Sequence, residues 1–563
     1  MNKRIKVCSI VMIVVMLMTL VSCGKNAGEK AQKRSGENGA TPTVTAANSS
    51  PTATPTEAPT NTPTPTEVLP TPTPTGFWAP EKGCAIAFSE GERYHYDMNL
   101  VLDTKADTVS GHVVFDFWND SEDAWDKLCL RDYSSVFLDG KVAGYDSKTV
   151  NAHAALTEIS GIIDGRDKSE LSFTRDTDVS VVWIPLAKPL APGEKMTLTY
   201  DFTAKIPTLA DRYGVYEGIY NVSNFYPVLA EYVNGAWSHE KFIAAGECFF
   251  SEIADFDVRI TVPEGFLLAS SGTEKGKEEK DGKLVYTLDA PCIRSFVFCA
   301  SDCFAVKDAT YDGVHVNVFY NGRKVPAKDM DTCVDQTLTC ARDSLAAFGE
   351  AFGRYPYEEL DIVYAPIDAG GMEYPNLVII TTLYCDPIVR GPEDAPIYSY
   401  DEMKICVAHE IGHQWFMGIV GSNSGLEPWL DESLTSYTEH VYEDYLGIKV
   451  TGPAVDLWSL EQRTTEEILS NWEQNGLLPL TQSYYDFKND YKYVACIYET
   501  GRRGLQKVEE TLGKDLWYSI LRAYVHRNAF RNATTQDFLD VLLSAVDMND
   551  PEVNVVITKV FGL

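Results

Sequence analysis

Two histidines four residues apart, with a glutamate after the first, constrain this chain more than any other stretch: VAHEIGHQWFMG, Val407 to Gly418. Residues 402–420 contain no proline and place Ile405, Ala408, Ile411, Trp415 and Ile419 at helical spacing, with Asp401 as the expected N-cap. On a helix, positions i and i+4 stand one above the other on the same face. His409 and His413 can then offer two imidazole nitrogens to one ion, and Glu410 leans beside that ion rather than onto it. A catalytic zinc needs three protein ligands and one open position. The expected third ligand is Glu432, in EPWLDESLTSYTEH. Eighteen residues separate it from His413, enough for a loop and the start of a second helix packed against the first. Two imidazoles and one carboxylate make a hydrolytic set for one Zn2+.

The chain is 563 residues long, too many for one core, so several domains are expected. Its formal net charge of -33 disfavours nucleic acid and anionic surfaces, and polynucleotide binding is not expected. Residues 1–22 read as a secretory signal: Lys3, Arg4 and Lys6 precede an apolar run, and Leu20-Val21-Ser22-Cys23 closes it. That closing tetrad resembles the bacterial lipobox, which makes Cys23 the expected lipidation site and places the protein outside the cytoplasmic membrane, bound to it only by lipid. Residues 23–82 are expected to be a lipidated N-terminus and a linker. The stretch from Thr41 to Thr75 is mostly threonine and proline and has too few large apolar side chains to fold. Proline density favours an extended stalk. Of 13 cysteines, Cys8 and Cys23 belong to the leader and its end, which leaves an odd number for the folded part. At least one thiol there is expected to stay free or to pair between chains. Cys333 and Cys340, on one helix, are about 10 Å apart along it and out of disulfide reach.

Two textures follow. Residues 83–305 carry short alternating runs such as YHYDMNLVLDT, GHVVFDFWND and KMTLTYDFTAKI between turn signals. They predict an all-β, sandwich-like domain, with Trp118, Trp125 and Trp183 in its core. Residues 306–563 begin with a strand and a helix that ends at Gly353, then two strands, and from Asp401 onward helices dominate. This is an α/β, mostly helical domain carrying the zinc pentad.

Four motifs in fixed order carry a family resemblance. HEIGHQWF followed after eighteen residues by WLDES resembles the gluzincin site of the aminopeptidase N family, whose usual form is HExxHxWF and WLNEG. Phe352–Val363 (FGRYPYEELDIV) matches the family's approach to the site. GGMEYP (Gly370–Pro375) is similar to its GAMEN motif, and IYETG (Ile497–Gly501) to its YEKG motif. The resemblance implies a thermolysin-like catalytic domain and removal of single residues from peptides with a free N-terminus. It assigns Glu410 as general base and acid and Tyr498 as donor to the oxyanion. Glu373 becomes the anchor for the substrate α-amine, with Gly370, Gly371 and Met372 as its binding neighbours. Glu439 becomes the support of a ligand histidine. Tyr374, Asp431, Ser433, Thr435 and Thr500 depart from the family's Asn, Asn, Gly, Ala and Lys. Larger relatives add a helical domain over the site, so a more open cleft is expected here. A zinc endopeptidase and a catalytically silent surface-binding protein are the alternatives.

Overall fold

A computed structural model describes residues 77–88, 91–138, 155–244, 246–323, 327–386, 400–448 and 464–563. The leader, Cys23 and the Thr/Pro stretch lie outside the described residues. Among those described, no helix is long and apolar enough to cross a membrane.

The alternating runs form strands because one face of each finds apolar cover. Tyr94–Asp103 buries every second residue, and Lys195–Lys205 does the same. Both lie in an eight-stranded sheet of order Thr273–Lys280, Lys283–Ile293, Ala254–Pro263, Tyr94–Asp103, Thr108–Trp118, Lys195–Lys205, Glu158–Asp164, Ser169–Glu170. All neighbours in it are antiparallel except Tyr94–Asp103 with Ala254–Pro263. Two four-stranded sheets accompany it. Trp125 is buried against Trp237 at 4.7 Å between centroids, while Trp118 and Trp183 are only partly covered.

A five-stranded mixed sheet opens the helical region, in the order Phe304–Tyr311, Val314–Asn321, Glu359–Ala365, Leu377–Thr381, Gly371–Tyr374. Its last strand is an edge and runs antiparallel to Leu377–Thr381. Two helices pack on it, α1 (Ala327–Phe352) and α2 (Tyr400–Gly412), and α3 (Glu432–Leu446) packs against both of them. α1 stops where expected, at Gly353, whose φ of 116° suits glycine. Further helices run to the C-terminus.

α2 departs from the sequence reading at both ends. It begins at Tyr400, so Asp401 lies inside its first turn rather than at the cap. It ends at Gly412, although the apolar spacing runs on to Ile419. Tertiary burial wins over continuation: Trp415 is fully buried and its Nε1 donates to the Gly353 carbonyl at 2.8 Å. The chain then turns at Met417 (φ 150°), and Val420–Gly421 pairs in parallel with Arg531–Asn532. The turn holding the two histidines survives, because His413 N–H still donates to the His409 carbonyl at 3.2 Å.

Arg294 ties the sheet-rich region to this turn. It donates to the Met417 carbonyl at 2.7 Å, to the Arg531 carbonyl at 2.7 Å and to the Ser251 carbonyl at 3.2 Å. Nine of the eleven cysteines among the described residues are buried.

Candidate active site

α2 supplies His409, Glu410 and, one residue beyond its end, His413. α3 supplies Glu432 as its first residue, which matches the loop-then-helix expectation. Ligand atoms of His409, His413 and Glu432 all lie within 4.8 Å of one another. Glu432 Oε2 stands 3.5 Å from His409 Nε2 and 3.4 Å from His413 Nε2. The two Nε2 atoms are 3.2 Å apart.

The protonation pattern tests whether a metal fits. His409 Nδ1 faces Glu439 Oε1 at 2.9 Å, and a carboxylate can only accept there. His413 Nδ1 is surrounded by Asp431 Oδ1 at 2.8 Å, Thr435 Oγ1 at 3.1 Å and the Phe416 carbonyl at 3.3 Å. Both Nδ1 atoms therefore face acceptors that hold a hydrogen on them, which leaves the two Nε2 atoms, turned toward each other and toward the Glu432 carboxylate, as the positions a metal would take. Glu432 Oε2 points between them, buried and without a hydrogen-bond partner. A divalent cation satisfies all three at once, and a zinc ion fits the donor set.

Glu439 is itself held. Its Oε2 accepts from Arg502 Nη1 at 2.7 Å, and the other arm of Arg502 binds Glu443 at 2.7 Å. Glu439 follows Glu432 by two turns on α3, which brings it under His409.

Glu410 is buried, and its Oε2 has no partner. Burial pushes its carboxyl up to about 7, against the pull of the neighbouring imidazoles. Gly371 is the reason it has room. A Cβ there would lie 2.2 Å from Glu410 Oε1, so any side chain at that position displaces the acid. At Gly370 a Cβ would meet nothing closer than 3.5 Å, so only one glycine of the pair is sterically demanded.

Glu373 lies on the edge strand Gly371–Tyr374, and successive residues of a strand face opposite sides. Ligand atoms of Glu373, Glu410 and His413 fall within 4.8 Å of one another. Glu373 is 5% exposed and its Oε1 has no partner. Burial raises its carboxyl to about 8 and the acids around it add to the shift, so the site favours an arriving cation. Met372 and Tyr374 belong instead to an apolar cluster with Ile219, Val297 and Ile379. The Tyr374 hydroxyl accepts from Asn224 Nδ2 at 3.3 Å. The departure from asparagine is thus absorbed by the sheet-rich side and leaves Glu373 in place. Both residues still line a cavity between the two regions, with Glu373, Glu247, Tyr133 and Phe249.

Tyr498 sits in a six-residue π-helical turn, Ala495–Thr500. Its ring lies over His409 with centroids 6.2 Å apart and planes 13° from parallel. Burial, then the Glu432 carboxylate, holds its phenol well above the ordinary value, so the hydroxyl stays a donor. Ser433 secures that turn by donating to the Ile497 carbonyl at 2.6 Å.

Sequence reading missed Gln414. It is buried, accepts from Asn376 N–H at 2.8 Å, and donates to the Tyr374 carbonyl at 3.2 Å. These bonds staple the strand bearing Glu373 to the turn bearing His413. Gln414→Ala is expected to cost about 1–3 kcal/mol for each backbone group left unpaired. A lower thermal midpoint, with KM raised more than kcat falls, is the measurable result. The pair of half-buried Arg212 with buried Glu247 was missed as well. Neither carries a local sequence signal, since their partners are remote in the chain.

A mixed sheet with an edge strand beside two helices, bearing a two-histidine, one-carboxylate group and a neighbouring acid, fits metal-assisted hydrolysis. Residues 337–559 match the peptidase family M1 domain. Aminopeptidase N of Lactobacillus helveticus is 26% identical over 246 residues, 43% of this chain and 28% of that one. Aminopeptidase N of Lactobacillus delbrueckii subsp. lactis is 23% identical over 420 residues, 72% of this chain and 46% of that one. The chain spans less than half the length of these curated relatives. The M1 zinc metallopeptidase of Deinococcus radiodurans shares the fold, with a TM-score of 0.54 at 16% identity over 85% of this chain and 97% of that one. A mutant of that peptidase has been solved bound to a Tyr-ser-ala substrate (TM-score 0.53, 16% identity, 85% of this chain and 97% of that one). Residues 337–559 thus match a peptidase family M1 domain, and the chain is similar to aminopeptidase N-type gluzincins.

Proposed function

We propose that the protein is a zinc aminopeptidase that removes single residues from peptides with a free N-terminus, outside the cytoplasmic membrane. The observation that carries this reading is the place of Glu373: a buried carboxylate with an unpartnered oxygen, clustered with Glu410 and His413. Likeness to relatives named aminopeptidase N supports it, as does a solved relative of the fold that holds a short peptide.

His409, His413 and Glu432 would hold the zinc, which when bound supplies Lewis-acid polarisation of the scissile carbonyl and the attacking water. Glu373 pairs with the substrate α-ammonium and so sets the first peptide bond over the ligand group. Glu410 Oε2 takes the proton of the attacking water and passes it to the leaving amine. The Tyr498 hydroxyl donates to the oxygen that becomes negative as the carbonyl carbon turns tetrahedral. Glu439 and Arg502 keep His409 in its donor tautomer throughout.

The test is a panel of aminoacyl fluorogenic substrates, with and without a zinc chelator, beside N-acetylated counterparts. Cleavage that is lost on chelation and on acetylation is the expected result. Cleavage indifferent to acetylation makes the protein an endopeptidase, and no cleavage at all makes it a binding protein of the same fold. For the location we propose an exported chain held by a lipid on Cys23. Cys23→Ala is expected to move the protein from the membrane pellet to the soluble fraction of its cell of origin.

A further inference from the structure

A metal-facing imidazole is only as good a ligand as the group that fixes its other nitrogen. For His409 that group is Glu439. For His413 the chain offers a second carboxylate. Asp431 is wholly buried; its Oδ1 stands 2.8 Å from His413 Nδ1 as a close ion-pair contact out of hydrogen-bond alignment, and its Oδ2 accepts from Ser424 Oγ at 2.6 Å. Thr435 Oγ1 closes the same nitrogen from another side at 3.1 Å. An ordinary helix cap does not account for Asp431. It stands at the cap position of α3, yet its side chain makes no capping hydrogen bond, and its φ of −87° and ψ of −69° are already helical.

We infer that Asp431, braced by Ser424, is a positioning residue. It fixes His413 as an Nε2 ligand and tightens the grip of the site on zinc beyond what a neutral amide at that position allows. Glu432 adjoins Asp431 in sequence, and Glu373, Asp431 and Glu432 have ligand atoms within 4.8 Å of one another. A buried acid placed among buried acids is unfavourable in the metal-free protein. Two groups offset that cost: the Ser424 hydroxyl, which donates to Asp431 Oδ2, and His413 with what it holds. The arrangement therefore trades stability of the empty site for affinity of the filled one. It departs from the asparagine usual in the resembling family at a position that, with Thr435, touches the second ligand from behind.

The inference rests on the zinc reading of the ligand set, and one experiment separates the two. Metal-free full-length protein is titrated with zinc against a fluorescent chelator, for wild type, Asp431→Asn and Ser424→Ala. Asp431→Asn is expected to bind zinc about 10- to 100-fold more weakly. Its thermal midpoint without metal should equal or exceed that of wild type, and rise less when zinc is added. Ser424→Ala, which removes only the brace, should weaken zinc in the same direction and keeps the test alive if Asp431→Asn fails to fold. Cobalt substituted for zinc gives an independent readout, because its visible bands follow the geometry of His413. Wild-type protein that takes up no zinc overturns both the ligand reading and this inference. Tight wild-type binding with variants within about twofold of it overturns only the role of Asp431.

Discussion

Glu410→Gln is expected to keep one zinc per chain and to lose about 10²- to 10⁴-fold in kcat, the usual worth of a positioned general base. The substitution is nearly isosteric, which matters at a position where Gly371 leaves no slack. None of the three ligands is altered, so metal analysis should return the wild-type stoichiometry. In the parent, burial pushes Glu410 up to about 7, and the dication beside it acts to lower that value. Glu410 works as a base only when ionised, so kcat/KM should rise with pH along an acidic limb at or below about pH 7. The variant should lose that limb together with its rate. Activity retained in Glu410→Gln would reassign the base.

Glu373→Ala should be the second largest effect, and of a different kind. It removes the partner of the substrate ammonium, a charge-assisted bond worth about 1.5–3 kcal/mol, so kcat/KM should fall about 10- to 150-fold. The loss should be specific to free amines. Residual cleavage of an N-acetylated peptide should be unchanged or improved, because the variant no longer presents a buried acid to a neutral end. If free and blocked substrates lose activity equally, Glu373 shapes the cleft but anchors nothing. Glu373→Gln separates charge from shape: an anchor requires it to resemble the alanine variant.

The two predictions draw on residues that were legible in the sequence for different reasons. His409 and His413 follow from helical periodicity, because one turn needs no tertiary information to put both on one side. Glu432 and Glu439 follow from the length of a loop and two turns of α3. Tyr498 and Glu373 were reachable only through resemblance. One lies in a π-helical turn and the other on a strand of four residues, and neither leaves a periodic trace. The extent of α2 was misread because Trp415 and Ile419 do belong to the core, but reach it from a turn and a short strand rather than from a continuing helix. The braces could not be read at all. Gln414, Asp431, Arg502 and the pair Arg212–Glu247 matter through whom they meet, and those meetings are set by the packed sheets and helices. At 431 and 435 the sequence marked departures from a family pattern. Only the structure turned those departures toward His413.

The nine buried thiols bear on how the protein can be followed in solution. Each sequestered sulfur is a silent label that a thiol reagent can reach only once its surroundings open. Labelling rates mapped along the chain would therefore give a position-by-position record of which parts of the sheet-rich and helical regions come apart first.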